Sequence, residues 1–205
     1  MKIKRIESEF LDSNVFVLTE GQECLIVDAG VKTSKVKQVV KDKKVIGVLL
    51  THGHYDHVYY AEEYKEKFDC PIYISKQGKF TAINKDLTYG DNFAIKKTSI
   101  FNVFNVEKTF KCGNFKIKIY KTPGHCPGSV CYQIGNDFFA GDTLFKTGIG
   151  RCDLLNSDEN SMLESLKKLK NVKFDVCHSG HGEDSTWEEQ QRNIIVHIKF
   201  LQRKQ

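Results

Sequence analysis

The stretch THGHYDH, residues 51–57, places three of the chain's seven histidines and one aspartate in a single short segment. Imidazole nitrogen and carboxylate oxygen are the donors that zinc and similar divalent cations accept. The same donors recur at His125 in TPGH, Asp142 in AGDT and His181 in SGHG. Together these five histidines and two aspartates exceed what one tetrahedral ion with an open position takes. Polar groups left unmatched in a buried site are costly, so two adjacent ions sharing one carboxylate accommodate the set better. Residues 52 and 54 point the same way from an extended segment, whereas 56 and 57 open the following helix and address a neighbouring position. The chemistry is hydrolytic: paired ions turn solvent into a hydroxide nucleophile at neutral pH and polarise a carbonyl. Asp56 or Asp142 would accept the proton.

The elements that must position these residues are legible as short apolar runs. Residues 14–18 (NVFVL) and 24–27 (CLIV), separated by the turn-forming EGQ, predict a hairpin. Beyond Asp28, Val36, Val39 and Val40 fall at i, i+3 and i+4 and predict a helix over 33–42 with Thr33 or Ser34 as its cap. Residues 45–50 then predict a buried strand. The histidine cluster stands at its carboxyl end, where α/β folds place ligands. A helix over 58–68 and a strand over 70–74 follow. In residues 115–120, Phe115, Ile117 and Ile119 alternate with polar neighbours in a half-buried strand that leads to His125. Residues 130–134 and 138–140 predict a hairpin around GND that ends at Asp142. Helical patterns cover about 159–169 and 186–201, and a strand at 174–177 runs into His181.

Composition excludes several functions. A length of 205 residues predicts one domain, 1–205, with one core. The net charge of +5 comes from scattered lysines without a dense basic block, which argues against a nucleic-acid partner. No window approaches the ~20 apolar residues of a membrane span, and the first residues lack a signal-peptide core. A cytoplasmic protein without a membrane partner is expected. The seven cysteines form no CxxC pair, which fits buried free thiols in a reducing compartment. Cys126, beside His125, is expected to fill space.

The motifs resemble those of a known family. THGHYDH (51–57), TPGHCPGS (122–129), AGDTLF (140–145) and SGHG (179–182) are similar, in order and spacing, to the successive ligand motifs of the metallo-β-lactamase superfamily. Within it they most resemble the hydroxyacylglutathione hydrolases, the glyoxalase II group, and GIGRCDL (148–154) resembles its short bacterial members. The resemblance implies an α/β (α+β) four-layer αβ/βα sandwich, the metallo-β-lactamase fold, with the site at one edge of two sheets. It implies His52, His54 and His125 on a first metal, Asp56, His57 and His181 on a second, and Asp142 bridging them. The two ions would be zinc first, with iron or manganese as alternatives. Asp28 would orient a ligand histidine through its free ring nitrogen. The implied reaction is hydrolysis of an S-hydroxyacyl thioester such as S-lactoylglutathione to a hydroxy acid and a thiol.

Lys146 and Arg151 follow Asp142. Arg151 is a candidate for a substrate carboxylate, because guanidinium binds such groups bidentately, whereas Lys146 is expected in a surface ion pair. The chain also resembles the persulfide dioxygenases, which use one iron held by two histidines and an aspartate; two filled metal positions favour the hydrolase. Lactones and phosphodiesters are the other substrates the fold suggests. Only 24 residues of this sequence follow His181, so the C-terminal helical domain with which larger glyoxalase II enzymes hold glutathione is not expected here.

Overall fold

In the computed structural model, which describes residues 1–104 and 109–204, the predicted apolar runs assemble into two six-stranded sheets. The first contains β1 (Lys2–Glu7), β2 (Asn14–Glu20), β3 (Glu23–Val27), β4 (Lys44–Leu49), β5 (Ile72–Ser75) and β6 (Phe101–Phe104), side by side in chain order. β1 to β3 are antiparallel, and β3 to β6 are parallel. The parallel crossovers carry α1 (Thr33–Val40), α2 (Tyr55–Val58), α3 (Ala61–Phe68) and α4 (Lys76–Ala82).

The second sheet is built from β7 (Phe110–Cys112), β8 (Phe115–Lys121), β9 (Val130–Ile134) and β10 (Asp137–Gly141). A small ribbon, β11 (Leu144–Phe145) with β12 (Gly148–Ile149), leads to α5 (Glu159–Leu169). β13 (Val176–Ser179) then pairs parallel with β10, and β14 (Ser185–Thr186) and α6 (Trp187–Gln202) complete the described chain.

β2 shows how the layers arise. Its alternating residues are all buried: Phe16 and Leu18 face the second sheet, with Phe115, Ile117, Tyr132 and Phe139. Val15 and Val17 face the opposite way, into a cluster with Val36, Ala61 and Tyr64 from α1 and α3. A strand covered on both faces reads as one apolar run, which is why NVFVL lacks alternation. On the far side of the second sheet, Phe138 and Ala140 pack against Met162, Leu166 and Leu169 of α5 and Ile194 and Leu201 of α6. Each fully buried side chain of this size contributes roughly 1.5–3 kcal/mol. Helix, sheet, sheet, helix is the expected four-layer sandwich. Among the described residues, no helix is long and apolar enough to cross a membrane.

Two local features differ from the prediction. The helix predicted over 58–68 is broken between α2 and α3. The Asp56 carbonyl accepts the Ser13 hydroxyl at 2.7 Å, and the Tyr60 N–H turns to Ala29 O at 2.9 Å. Neither Thr33 nor Ser34 caps α1: its N-cap is Lys32, which makes no side-chain cap bond. The elements β1, α4, β6, β7, β11, β12 and β14 have no counterpart among the predicted ones.

Candidate metal centre

The carboxyl end of β4 is fixed from both sheets before the histidines begin. Tyr132 of β9 donates its hydroxyl to Leu50 O at 2.6 Å, and Val130 N–H donates to Thr51 O at 2.9 Å. Thr51 in turn donates its N–H to Asp28 Oδ1 at 2.7 Å and its hydroxyl to Asp28 Oδ2 at 2.9 Å. Gly53 lets the loop lie against α4. A Cβ there would stand 2.3 Å from Gly78 O, and one at Gly128 would stand 2.1 Å from Gly78 N. The THGH loop, α4 and the loop after His125 therefore meet backbone to backbone.

From this frame the side chains converge. The one-turn α2 presents Asp56 and His57, β8 leads to His125, β10 to Asp142 and β13 to His181. Three ring orientations are set by acceptors on the outer nitrogen. His57 Nδ1–H donates to Asp28 Oδ2 at 2.8 Å, His125 Nδ1–H to Arg151 O at 3.0 Å, and His181 Nδ1–H to Asp12 O at 2.5 Å. Each leaves Nε2 directed at the pocket. A histidine fixed through one nitrogen this way is the usual arrangement of a metal ligand.

Ligand atoms fall into three overlapping groups, each within 4.8 Å: His52, His54 and His125; His52, His57 and Asp142; and Asp56, His57 and His181. His54 Nδ1 lies 2.9 Å from His125 Nε2. On the other side, His181 Nε2 lies 3.0 Å from Asp56 Oδ2 and 3.4 Å from His57 Nε2. Asp142 stands between the two. Its Oδ1 is 3.2 Å from His57 Nε2, and its Oδ2 is 3.5 Å from the Nε2 atoms of both His125 and His181. The sequence-predicted ligand residues are thus brought together in one pocket.

The polar atoms of this pocket fit cations. His52 Nε2 is fully buried without a hydrogen-bond partner, and Asp142 Oδ1 lacks a well-aligned one. Stranded donors of this kind cost ~1–3 kcal/mol unless something binds them. The charge balance points the same way. Burial, with His57 nearby, holds His52 well below its ordinary pKa, and burial, with His125 nearby, brings His54 down to about 3. At the other end burial also opposes charge on His57 and His181. There the carboxylates win, Asp56, Asp142 and Asp28 raising His57 well above its usual value, and Asp142 and Asp56 raising His181 to about 10. Asp56 and Asp142 are held low despite their burial, chiefly by His57. The pocket thus combines neutral imidazoles at one end with carboxylates that demand positive charge at the other, matching a pair of divalent ions.

The remaining candidates lie at the rim. Arg151 contributes its carbonyl to His125, while its exposed guanidinium pairs with Asp153 at 2.9 Å. Lys146 pairs with Glu183 at 2.5 Å. Cys126 is buried, with Sγ 3.4 Å from Ser129 Oγ, and burial pushes its thiol pKa up. All seven cysteines are free. Sequence reasoning missed Asp12, Ser13 and Thr51, which hold site residues in place, and Tyr89, whose ring meets His54 edge-on at 5.2 Å.

A mixed α/β sandwich with a histidine- and aspartate-lined pocket where the strand ends of both sheets meet defines a class of metal-binding proteins. The chain belongs to the metallo-beta-lactamase superfamily, whose family model matches residues 9–181. It is 30% identical over 206 residues to the probable metallo-hydrolase YqgX of Bacillus subtilis, covering 96% of this chain and 98% of that protein. The crystal structure of the B3 metallo-beta-lactamase BLEG-1 superposes with a TM-score of 0.84 at 28% identity, covering 98% of this chain and 99% of that one. TTHA1623, solved in a di-iron-bound form, gives a TM-score of 0.78 at 27% identity, with 93% and 98% covered. The resemblance to glyoxalase II is finer than the names of these relatives.

Proposed function

We propose that this protein is a two-metal hydrolase that cleaves an S-hydroxyacyl thioester, of which S-lactoylglutathione is the model, to a hydroxy acid and a free thiol. The carrying observation is Asp142, whose oxygens lie within 3.5 Å of His57, His125 and His181 and so reach both halves of the pocket. His52, His54 and His125 would hold one ion and Asp56, His57 and His181 the other, with Asp142 shared. Divalent ions bound there supply hydroxide at neutral pH and polarise the carbonyl oxygen. Asp56 would take the released proton on its carboxylate, whose Oδ2 lies 3.0 Å from His181 Nε2 at the edge of the pocket. The departing thiolate, with a pKa of about 8.5, needs no acid to protonate it. Arg151 receives a carboxylate of the thiol carrier by exchanging its contact with Asp153 for one with substrate.

The test is a panel of acyl thioesters, a lactone, a phosphodiester and a β-lactam, assayed with zinc- and iron-loaded protein and its His54→Ala variant. The thioester is expected to be the preferred substrate. The variant should lose more than the roughly 100-fold that removing a partner outside the ligand set costs. Equal thioester turnover by the two proteins would overturn the reading. The β-lactam is included because BLEG-1 is a metallo-beta-lactamase.

A further inference from the structure

Segment 84–93 closes on the first half of the pocket, and its backbone is braced against the residue before Asp56. Tyr55 N–H donates to Thr88 O at 2.9 Å, and the Thr88 hydroxyl donates to Phe93 O at 2.6 Å. Gly90 passes so near the Tyr55 ring that a Cβ there would stand 2.5 Å from its Cγ. Between Thr88 and Gly90, Tyr89 has a φ of +58°, a left-handed conformation that a bulky side chain rarely adopts. Its ring lies edge-on to His54, with the planes 83° apart.

The Tyr89 hydroxyl oxygen accepts the N–H of Leu155. Leu155 belongs to the stretch that follows Arg151, whose carbonyl orients His125. Tyr89 therefore links the two segments that flank His54 and His125. A phenol has one proton to donate besides the lone pairs it offers. Among the described residues, no hydrogen bond uses the Tyr89 proton, and the residue is 39% exposed. The result is a hydroxyl gripped by its oxygen at Leu155, with its donor free, on a side chain whose ring packs edge-on against His54.

We propose that Tyr89 is a substrate-positioning residue that donates its O–H to the α-hydroxyl oxygen of the acyl group. The assignment rests on the thioester reading and sharpens it. The α-oxygen is one carbon from the reacting carbonyl, so a hydroxyl on the ring that flanks His54 suits it better than the distant end of the thiol. A site that hydrogen-bonds a substrate hydroxyl discriminates against the analogue lacking it. Tyr89 thus selects hydroxyacyl over plain acyl substrates.

The test pairs lactoyl and propionyl thioesters of one thiol, assayed with wild type and Tyr89→Phe. Wild type should prefer lactoyl. In Tyr89→Phe the lactoyl-to-propionyl ratio of kcat/KM should fall about five-fold, the measure of one net hydrogen bond. Independently of turnover, calorimetry of the zinc-loaded proteins should show wild type binding lactate more tightly than propionate and Tyr89→Phe binding them alike. An unchanged preference in the variant would overturn the assignment, as would a wild type that cleaves both thioesters equally, which leaves the thioester reading intact. A wild type that cleaves neither but favours lactate through Tyr89 would sink the thioester reading and support the Tyr89 assignment.

Discussion

At the scale of single residues, the site depends on what stands behind each imidazole. Asp28, Arg151 O and Asp12 O each take an outer N–H, and so determine which nitrogen faces the pocket. Asp28 also holds Thr51, so one buried carboxylate orients His57 and fixes the loop that carries His52. Replacing Asp28 by Asn keeps the shape but removes the charge and one strong acceptor. Metal affinity of Asp28→Asn, measured by competition with a chelator, is expected to fall about 10- to 100-fold while the fold persists. Unchanged affinity would deny Asp28 its orienting role. The donors themselves were legible because histidine and aspartate carry their chemistry in their letters. The carbonyls of Asp12 and Arg151 were not, since every residue has one and only tertiary structure decides which carbonyl a ring meets.

At the scale of elements, the reading succeeded where local signals agreed with packing. α5 begins at Asp158, whose side chain accepts Ser161 N–H, and α6 opens with a capping box between Thr186 and Glu189. Both helices were predicted from their apolar stripes alone, and the caps agree with the boundaries those stripes suggest. β1 was missed because it lies at a sheet edge, and its isoleucines, Ile3 and Ile6, do not alternate. α4 was missed because Gly78 disfavours a helix, and what calls for glycine there is tertiary and local packing: a Cβ would stand 2.9 Å from Ser75 Oγ and 3.0 Å from Ile74 Cγ1. The β10–β13 pairing carries its own titratable link. His178, packed on Phe139, has Nε2 2.9 Å from Asp137 and Nδ1 3.1 Å from Asp184. Burial opposes its charge, but Asp184 and Asp137 outweigh burial and raise its pKa. Stability from a raised histidine is fully present below about pH 6.5 and disappears as pH climbs through the folded-state value. Urea midpoints of wild type and His178→Gln should therefore differ most at the acid end and converge with rising pH. A gap that stays constant would contradict the link.

At the scale of the whole molecule, the pocket belongs to neither sheet alone. The first supplies His52, His54, Asp56 and His57, the second His125, Asp142 and His181, and the sandwich brings their strand ends to one edge. Seven residues scattered from 52 to 181 become neighbours only because both sheets share the core of Phe16, Leu25, Ile117 and Phe139. The sequence revealed that convergence through the repeated strand-then-ligand order and through motif resemblance. It did not reveal how segment 84–93 closes over His54, because that segment has no periodicity and its placement arises from contacts with Tyr55 and Leu155, both distant in the chain. The central claim is that both halves of the pocket hold a metal and work together. Its most direct test is titration of chelator-treated protein with zinc, following bound metal and thioester turnover in the same samples. Two ions per chain are expected, with turnover continuing to rise until the second is bound. Saturation of both signals at one ion, or full loading without thioester turnover, would contradict it.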